Sequence, residues 1–156
     1  MAVAQVHVRS WQAAYRGLLA QAYLDGLRAE DRAARYDFTH TDPAKPFTLV
    51  ADLDGFIAGF ATTMPARDVD LPGWGELVAL YVDPDFWGRG YGVELIAAAR
   101  AHFLEQGFGE AALWVLKGNV RAENFYGKDG WQPDGSVRTV TVWEIAVNEL
   151  RYRRKL

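Results

Sequence analysis

The 156-residue sequence contains no cysteine. This absence excludes a disulfide scaffold, thiolate metal ligands and a cysteine nucleophile, and it leaves the redox environment of the protein open. No apolar run has the length that spans a membrane, and Met1–His7 lacks the basic and apolar segments of a signal peptide. We therefore expect a cytoplasmic protein with no membrane contact.

An excess of positive charge is also lacking. The chain has 17 Lys and Arg against 20 Asp and Glu, a net charge of −3 at pH 7. This balance argues against a protein built mainly to bind nucleic acid or anionic lipid, but it allows a charged small ligand to be held locally. The length, with 50% apolar residues, fits a single domain over residues 1–156.

What the sequence does contain is a clear alternation of helical and extended patterns. The periodicities predict helix, helix, hairpin, strand, helix, strand, helix and hairpin, an α/β (α+β) fold with a central mixed sheet. The predicted helical segments are Val3–Leu18, Gln21–Phe38, Gly92–Gln106 and Val120–Lys128. The predicted strands are Phe47–Leu53, Phe56–Met64, Glu76–Val82, Ala111–Leu116, Val137–Trp143 and Ala146–Arg153. We expect Glu76–Val82 and Ala111–Leu116 to be parallel, and Asp54-Gly55 to form a tight hairpin turn.

A glycine-rich loop, Trp87-Gly88-Arg89-Gly90-Tyr91-Gly92, connects an apolar strand directly to an amphipathic helix. Glycines allow consecutive backbone N–H groups to turn inward, and the N-terminus of the helix adds partial positive charge, which suits a pyrophosphate. Such a loop by itself is equally compatible with strand termination and close packing. The glycine spacing matches neither the dinucleotide fingerprint nor the Walker loop.

Two motifs at the right separation carry a family resemblance. The first is Leu80-Tyr81-Val82-Asp83-Pro84 followed by Gly90-Tyr91-Gly92, and the second runs through Asn119, Ala122, Phe125-Tyr126 and Gly130-Trp131. Together they resemble the GCN5-related N-acetyltransferase (GNAT) superfamily. Trp87 stands where that family usually has Gln or Arg, and Arg89 could compensate. The family's first β-strand has no counterpart before the first helix, which indicates either a misassigned start or an absent edge strand.

The resemblance implies the use of acetyl-CoA, without a metal, and direct transfer of the acetyl group to a primary amine of a small molecule or peptide. It implies that the pantetheine arm pairs with Leu80, Tyr81 and Val82, and that Asn119 contacts the cofactor. The pyrophosphate would be held by Gly88, Arg89, Gly90, Tyr91, Gly92 and Val93. Tyr126 would protonate the departing thiolate, and Glu76 is the candidate general base.

Each assignment has a simpler alternative. Asn119 could act only as a helix N-cap, Tyr126 could be ordinary core, and Glu76 could be an exposed carboxylate at the end of a strand. His7, His40 and His102 have no acidic partner at a suggestive spacing and are expected on surfaces or helix faces. The arginine-rich end, Arg151–Arg154, is expected to alternate outward.

Aromatic residues could form the wall of an acceptor pocket, although most are expected in the core. These residues are Trp11, Tyr15, Tyr23, Trp74 and Trp143. Two other functions remain open, a non-catalytic acyl-CoA-binding sensor or partner module, and a nucleotide-binding oxidoreductase, which the glycine spacing disfavours. An open edge of the first hairpin would favour a homodimer.

Overall fold

The computed structural model describes residues 1–156, and three helices come first in the chain. They are α1 (Ala2–Ala14), α2 (Gln21–Gly26) and α3 (Ala29–Ala33). Six strands follow: β1 (Phe47–Leu53), β2 (Phe56–Pro65), β3 (Gly75–Val82), β4 (Glu110–Leu116), β5 (Gln132–Val142) and β6 (Ile145–Lys155). Helix α4 (Tyr91–Glu105) connects β3 to β4, and α5 (Val120–Lys128) connects β4 to β5. None of the helices has the length and apolar character needed to cross a membrane.

The six strands form one mixed sheet in the order β1-β2-β3-β4-β6-β5. Only β3 and β4 run parallel, and the other neighbours are antiparallel. The predicted mixed sheet and the predicted parallel pair are therefore confirmed. No strand of this sheet pairs with the outer edge of β1, which the sequence predicted to be open.

Both hairpin turns place two consecutive residues at positive φ, the conformation that suits a two-residue turn between twisted strands. In the first hairpin these are Asp54 (φ 52°) and Gly55 (φ 91°), as the sequence predicted. In the second they are Trp143 (φ 50°) and Glu144 (φ 73°), residues that seldom adopt this conformation. Pairing of β5 with β6 extends the second hairpin back to Gln132, across a register shift that the sequence did not reveal.

Two helical predictions were too long. The first helix ends at Ala14, and the positive φ of 80° at Gly17 prevents it from reaching Leu18. The second region divides into two short helices because Leu27, at ψ 135°, is extended. Residues 34–46 then form no regular helix, and Tyr36 from this segment packs against the α1 side of the sheet.

The sheet lies between two helical layers. On one face, α4 and α5 pack over a large core that contains Phe103, Leu113, Tyr126 and Trp131. On the other face, α1 covers a smaller cluster around Phe60. The guanidinium of Arg9 on α1 donates to Asp83 at 2.7 Å, and this contact holds the helix against the end of β3.

The parallel pair β3 and β4 is joined over three residues only, Gly75–Leu77 against Ala111–Leu113. The next residue of β3, Val78, is the extra residue of a β-bulge in the pairing of β3 with β2. A bulge bends its strand and increases the local twist, so the carboxyl ends of β3 and β4 separate. The resulting gap opens on the loop that follows β3.

Candidate active site

One large cavity, of about 990 Å³, occupies the gap between β3 and β4. It extends from the glycine loop at one end to α1 and the β5–β6 hairpin at the other. Most of the residues that the sequence predicted for the site line this cavity. They are Leu80, Tyr81, Val82, Gly88, Gly90, Tyr91, Gly92, Val93, Asn119 and Tyr126.

The glycine loop presents a row of free donors. None of the backbone N–H groups from Gly88 to Gly92 donates to a protein atom, whereas the next one, at Val93, bonds to Gly90 at 2.8 Å. Gly88 (φ 77°) and Gly90 (φ 94°) have positive φ, and a Cβ built on either would meet no atom within 4 Å. The loop leads into the 15-residue helix α4, so these donors lie at the positive end of a helix dipole.

The edge of β3 that faces β4 is unpaired from Val78 onward. One of its carbonyls is already used, since Val82 accepts from the Ser10 hydroxyl at 2.9 Å and from the Trp87 indole at 2.7 Å. The residues before it offer main-chain groups to an extended ligand, as an added strand would use them.

Tyr126 of α5 is buried but lines the cavity, and no protein atom bonds to its hydroxyl. Burial, followed by the nearby Tyr81, raises the pKa of Tyr126 well above its usual range. The phenol therefore keeps its proton across the physiological range. Tyr81 lies opposite, with its hydroxyl 3.4 Å from that of Tyr15.

Asn119 caps a helix, and its side chain is also accessible from the cavity. Its Oδ1 accepts from the backbone N–H of Ala122 at 3.2 Å, which makes it the N-cap of α5. The side chain also lines the cavity, and its amide nitrogen has no protein partner, so it is available to a ligand.

Arg121 is a cavity residue that the sequence reasoning missed. Its guanidinium lies 3.3 Å from the centre of the Trp87 ring, at the loop end of the cavity, and forms no ion pair. The tryptophan that departs from the family pattern thus carries a cation on its face. Arg89 is exposed, lies over the ring of Phe86 and is not part of the cavity wall.

Glu76 is 3% exposed, so it is not the exposed carboxylate considered as the simpler alternative. It accepts from the backbone N–H and the guanidinium of Arg67, at 2.6 Å for the shortest contact, and does not itself line the cavity. Glu149 of β6 does line the cavity, where it accepts from Arg138 at 2.8 Å. Only the pairing of β6 with β4 brings Glu149 there, so no local pattern of residues predicts its position.

At the end away from the loop, three of the five predicted aromatic residues line the cavity, namely Trp11, Tyr15 and Trp143. Tyr23 lines a smaller adjoining cavity, whereas Trp74 borders neither. His7 lies on a face of α1, one of the two positions expected for it, but this face is buried, since the side chain is 3% exposed and lines the main cavity. Its ring stacks on Tyr81, with centroids 4.5 Å apart.

The expectation that the arginine-rich end alternates outward was wrong for Arg151, which is 4% exposed. Its guanidinium donates to Asp70 at 2.6 Å, to Asp134 at 2.7 Å and to Asp68 at 3.3 Å. Asp68 also accepts from the Trp114 indole and lines the cavity. This cluster fixes the loop after β2 against β6.

No group of three or more His, Asp or Glu side chains is placed to hold a metal ion.

Residues 9–131 match the family model described as the acetyltransferase (GNAT) family. An uncharacterized N-acetyltransferase of Archaeoglobus fulgidus is 34% identical over 76% of this chain and 80% of its own length. The uncharacterized N-acetyltransferase YuaI of Bacillus subtilis is 28% identical over 75% of this chain, which spans 66% of that relative.

The fold is also that of the PaiA N-acetyltransferase from Thermoplasma acidophilum, solved in complex with coenzyme A. The TM-score is 0.71, at 19% identity, over 98% of this chain and 90% of that one. The match over most of the chain, together with the cavity at the glycine loop, shows that this protein belongs to the GNAT acetyltransferase family and has the domain of an N-acetyltransferase.

Proposed function

We propose that this protein transfers the acetyl group of acetyl-CoA directly to a primary amine of a small molecule or peptide. The observation that carries this proposal is the continuity of the cavity. It connects the five free N–H groups of Gly88–Gly92, the unpaired edge of β3 and the hydroxyl of Tyr126.

The cofactor is proposed to lie along this path. Its pyrophosphate would accept hydrogen bonds from the loop, and its pantetheine arm would pair with the edge of β3 around Leu80 and Tyr81. The Asn119 amide would donate to the same arm. Arg121, which no carboxylate neutralises, supplies a cation for a phosphate at the mouth of the cavity.

The chemistry needs no covalent attachment to the enzyme. The amine nitrogen, once it has lost a proton, attacks the thioester carbonyl carbon, and the C–S bond breaks. Tyr126 donates its proton to the departing sulfur, so CoA leaves as a thiol. The proton that the ammonium form loses before the attack passes to a carboxylate, directly or through water. The proton that the nitrogen loses as the amide forms restores the phenol of Tyr126.

Two carboxylates are candidates for this base. Glu76, the residue predicted from the sequence, is bound to Arg67 and could act only through neighbouring groups. Glu149 lines the cavity itself, and we propose that it is the base. Glu76 would then position Arg67 in the cavity wall.

We further propose that the protein acts in the cytoplasm and forms a homodimer through the open edge of β1. Phe47 and Val50 on this strand are both close to half exposed, at 48% and 45%. A partner that covers this edge would remove an aggregation risk. Light scattering in line with size exclusion measures the mass directly, and a monomer would contradict the dimer without affecting the catalytic proposal.

Titration calorimetry with acetyl-CoA, CoA and NADH tests the cofactor site first. We expect acetyl-CoA and CoA to bind in the micromolar range and NADH not to bind. Gly90→Glu places a negative charge in the cradle and should abolish binding. Arg121→Gln should weaken CoA binding about tenfold, the range of a hydrogen bond to a charged group. Absence of acetyl-CoA binding would remove the proposal.

Turnover is tested by release of CoA thiol during a screen of primary amines. Because the chain has no cysteine, the assay has no background from protein thiols. Tyr126→Phe should lower kcat by about 10²-fold with cofactor binding preserved. Binding of acetyl-CoA without turnover of any amine would favour the non-catalytic binding module instead.

A further inference from the structure

The end of the cavity away from the glycine loop contains a cation with no carboxylate partner. Arg32 of α3 donates from Nε to Nδ1 of His7 at 3.2 Å and forms no ion pair. Its guanidinium lies 4.4 Å from the ring centre of Trp143 and 5.3 Å from that of Tyr36. Asp31 and Glu144 line the adjoining smaller cavity, yet neither pairs with Arg32.

Two buried N–H donors beside Arg32 also lack an acceptor. His7 Nδ1 accepts from Arg32 and lies 2.6 Å from the Tyr36 hydroxyl, so we assign the proton of the neutral ring to Nε2. Neither this Nε2 nor the indole nitrogen of Trp11 has a partner, although both side chains line the cavity. Buried donors without an acceptor are costly, and a ligand that supplies an acceptor would relieve that cost.

The charge of the cavity wall has the opposite sign to that of the chain. The wall contains four arginines and two carboxylates, whereas the whole chain has a net charge of −3. Both carboxylates are already paired, Asp68 with Arg151 and Glu149 with Arg138. The groups left unpaired in this wall are therefore cations and N–H donors, with Arg32 at the end where the acceptor would bind.

A polycationic acceptor fits this surface poorly. The aromatic rings that could bind an ammonium group by cation–π attraction include Trp143 and Tyr36, and Arg32 already lies over both. A second cation there would be repelled by the guanidinium at short range.

We propose that the acceptor is a primary amine that also bears an anionic group, a carboxylate or a phosphate, which Arg32 binds. This inference rests on the proposed acetyl transfer and specifies its substrate class. The terminal nitrogens of Arg32 form a fork that matches either oxyanion. The apolar body of such an acceptor would pack against Trp11, Tyr81 and Trp143, with its amine toward Tyr126.

Matched amines test this assignment in the thiol-release assay. L-Phenylalanine is compared with phenethylamine for the carboxylate, and phosphoethanolamine with ethanolamine for the phosphate. We expect the anionic member of at least one pair to have a kcat/KM about 10- to 100-fold above that of its partner, the range of a charge-assisted hydrogen bond. The pair that shows the preference identifies the oxyanion.

Arg32→Gln should raise KM for the anionic amine and reduce the preference to near unity, with acetyl-CoA affinity unchanged. Arg32→Lys should retain part of the preference because the charge remains. Arg35→Gln is the matched control, since Arg35 is exposed and borders only the smaller cavity. A preference for phenethylamine and ethanolamine in the unaltered protein would overturn the assignment. An equal fall in kcat/KM for both members of a pair in Arg32→Gln would overturn it as well.

Quenching of tryptophan fluorescence with CoA present measures acceptor binding without turnover. Binding of the anionic amine that depends on Arg32, without acetylation, would support the anion site and contradict the proposed transfer. Acetylation of amines without a preference for the anion would contradict the anion site alone. Neither binding nor acetylation would contradict both.

Discussion

Glu149 and Glu76 differ in what their side chains face, and the proposal that Glu149 takes the proton from the substrate rests on this difference. Glu149 lines the cavity, whereas Glu76 is enclosed by Arg67. We expect Glu149→Gln to lower kcat/KM by about 10²-fold. The decrease should be smaller for amines of low pKa, because these are already unprotonated and need no base to lose a proton before the attack. Steady-state kinetics at fixed pH checks this. A larger loss in Glu76→Gln, with the same dependence on the amine, would make Glu76 the base.

His7 should make stability depend on pH. Burial, followed by the charge of Arg32, lowers the pKa of His7 well below its usual range. In the unfolded chain a histidine titrates near 6.5, so as pH falls through that value the unfolded state binds more protons than the folded state. The free energy of unfolding should therefore decrease from about pH 7 to pH 5, by at most about 1.4 kcal/mol per pH unit.

Urea unfolding at several pH values measures this slope, and His7→Gln should reduce it. His40 and His102 are present in both proteins, so their contributions cancel in the comparison. Equal slopes in the two proteins would show that His7 does not titrate as its burial implies.

At the scale of elements, α4 packs so closely on β3 that one position requires glycine. A Cβ on Gly75 would overlap the ring of Phe103, which is 1% exposed and enclosed by the core. We expect Gly75→Ala to lower the free energy of unfolding by about 2 kcal/mol, as overpacking does. Thermal or urea unfolding measures the loss.

Gly109→Ala is the matched control for this contact. Gly109 lies just before β4, and a Cβ there would meet nothing within 4 Å. Its substitution should leave stability unchanged or raise it slightly by restricting the unfolded chain. Equal losses at both positions would show that the contact with Phe103 is not the cause.

At the scale of the whole molecule, Arg151 joins parts of the chain that lie far apart in sequence. It binds Asp68 and Asp70 from the loop after β2, and Asp134 from β5. Arg151→Ala would remove the cation that these carboxylates share and leave Arg153 and Arg138 as their remaining partners, at the part of the cavity wall to which Asp68 belongs. We expect the free energy of unfolding to fall by about 3 kcal/mol, together with a higher KM for the amine and little change in acetyl-CoA affinity.

Lys155→Ala is the control for Arg151, because Lys155 lies on the same strand, is exposed and forms no ion pair. It should change neither stability nor KM. A loss of acetyl-CoA affinity in Arg151→Ala as large as the loss for the amine would contradict a role limited to the acceptor side.

Features that depend only on neighbouring residues could be predicted from the amino-acid sequence. Asp54-Gly55 predicts its turn because positive φ is a property of the dipeptide, and Gly88–Gly92 predicts a cradle because the glycines and the helix are contiguous. The start of α5 is also local, since the side chain of Asn119 caps its first turn. These are local relations, and distant residues do not alter them.

Which side chains meet across the cavity depends on how distant parts of the chain pack together. Glu149, Arg121 and Arg32 carry no local pattern, and they reach the cavity only because β6 pairs with β4, α5 follows β4, and α3 packs on α1. Arg151 is buried rather than outward because three carboxylates from elsewhere compensate its charge. Burial and charge pairing are sums over residues that only the folded chain brings together.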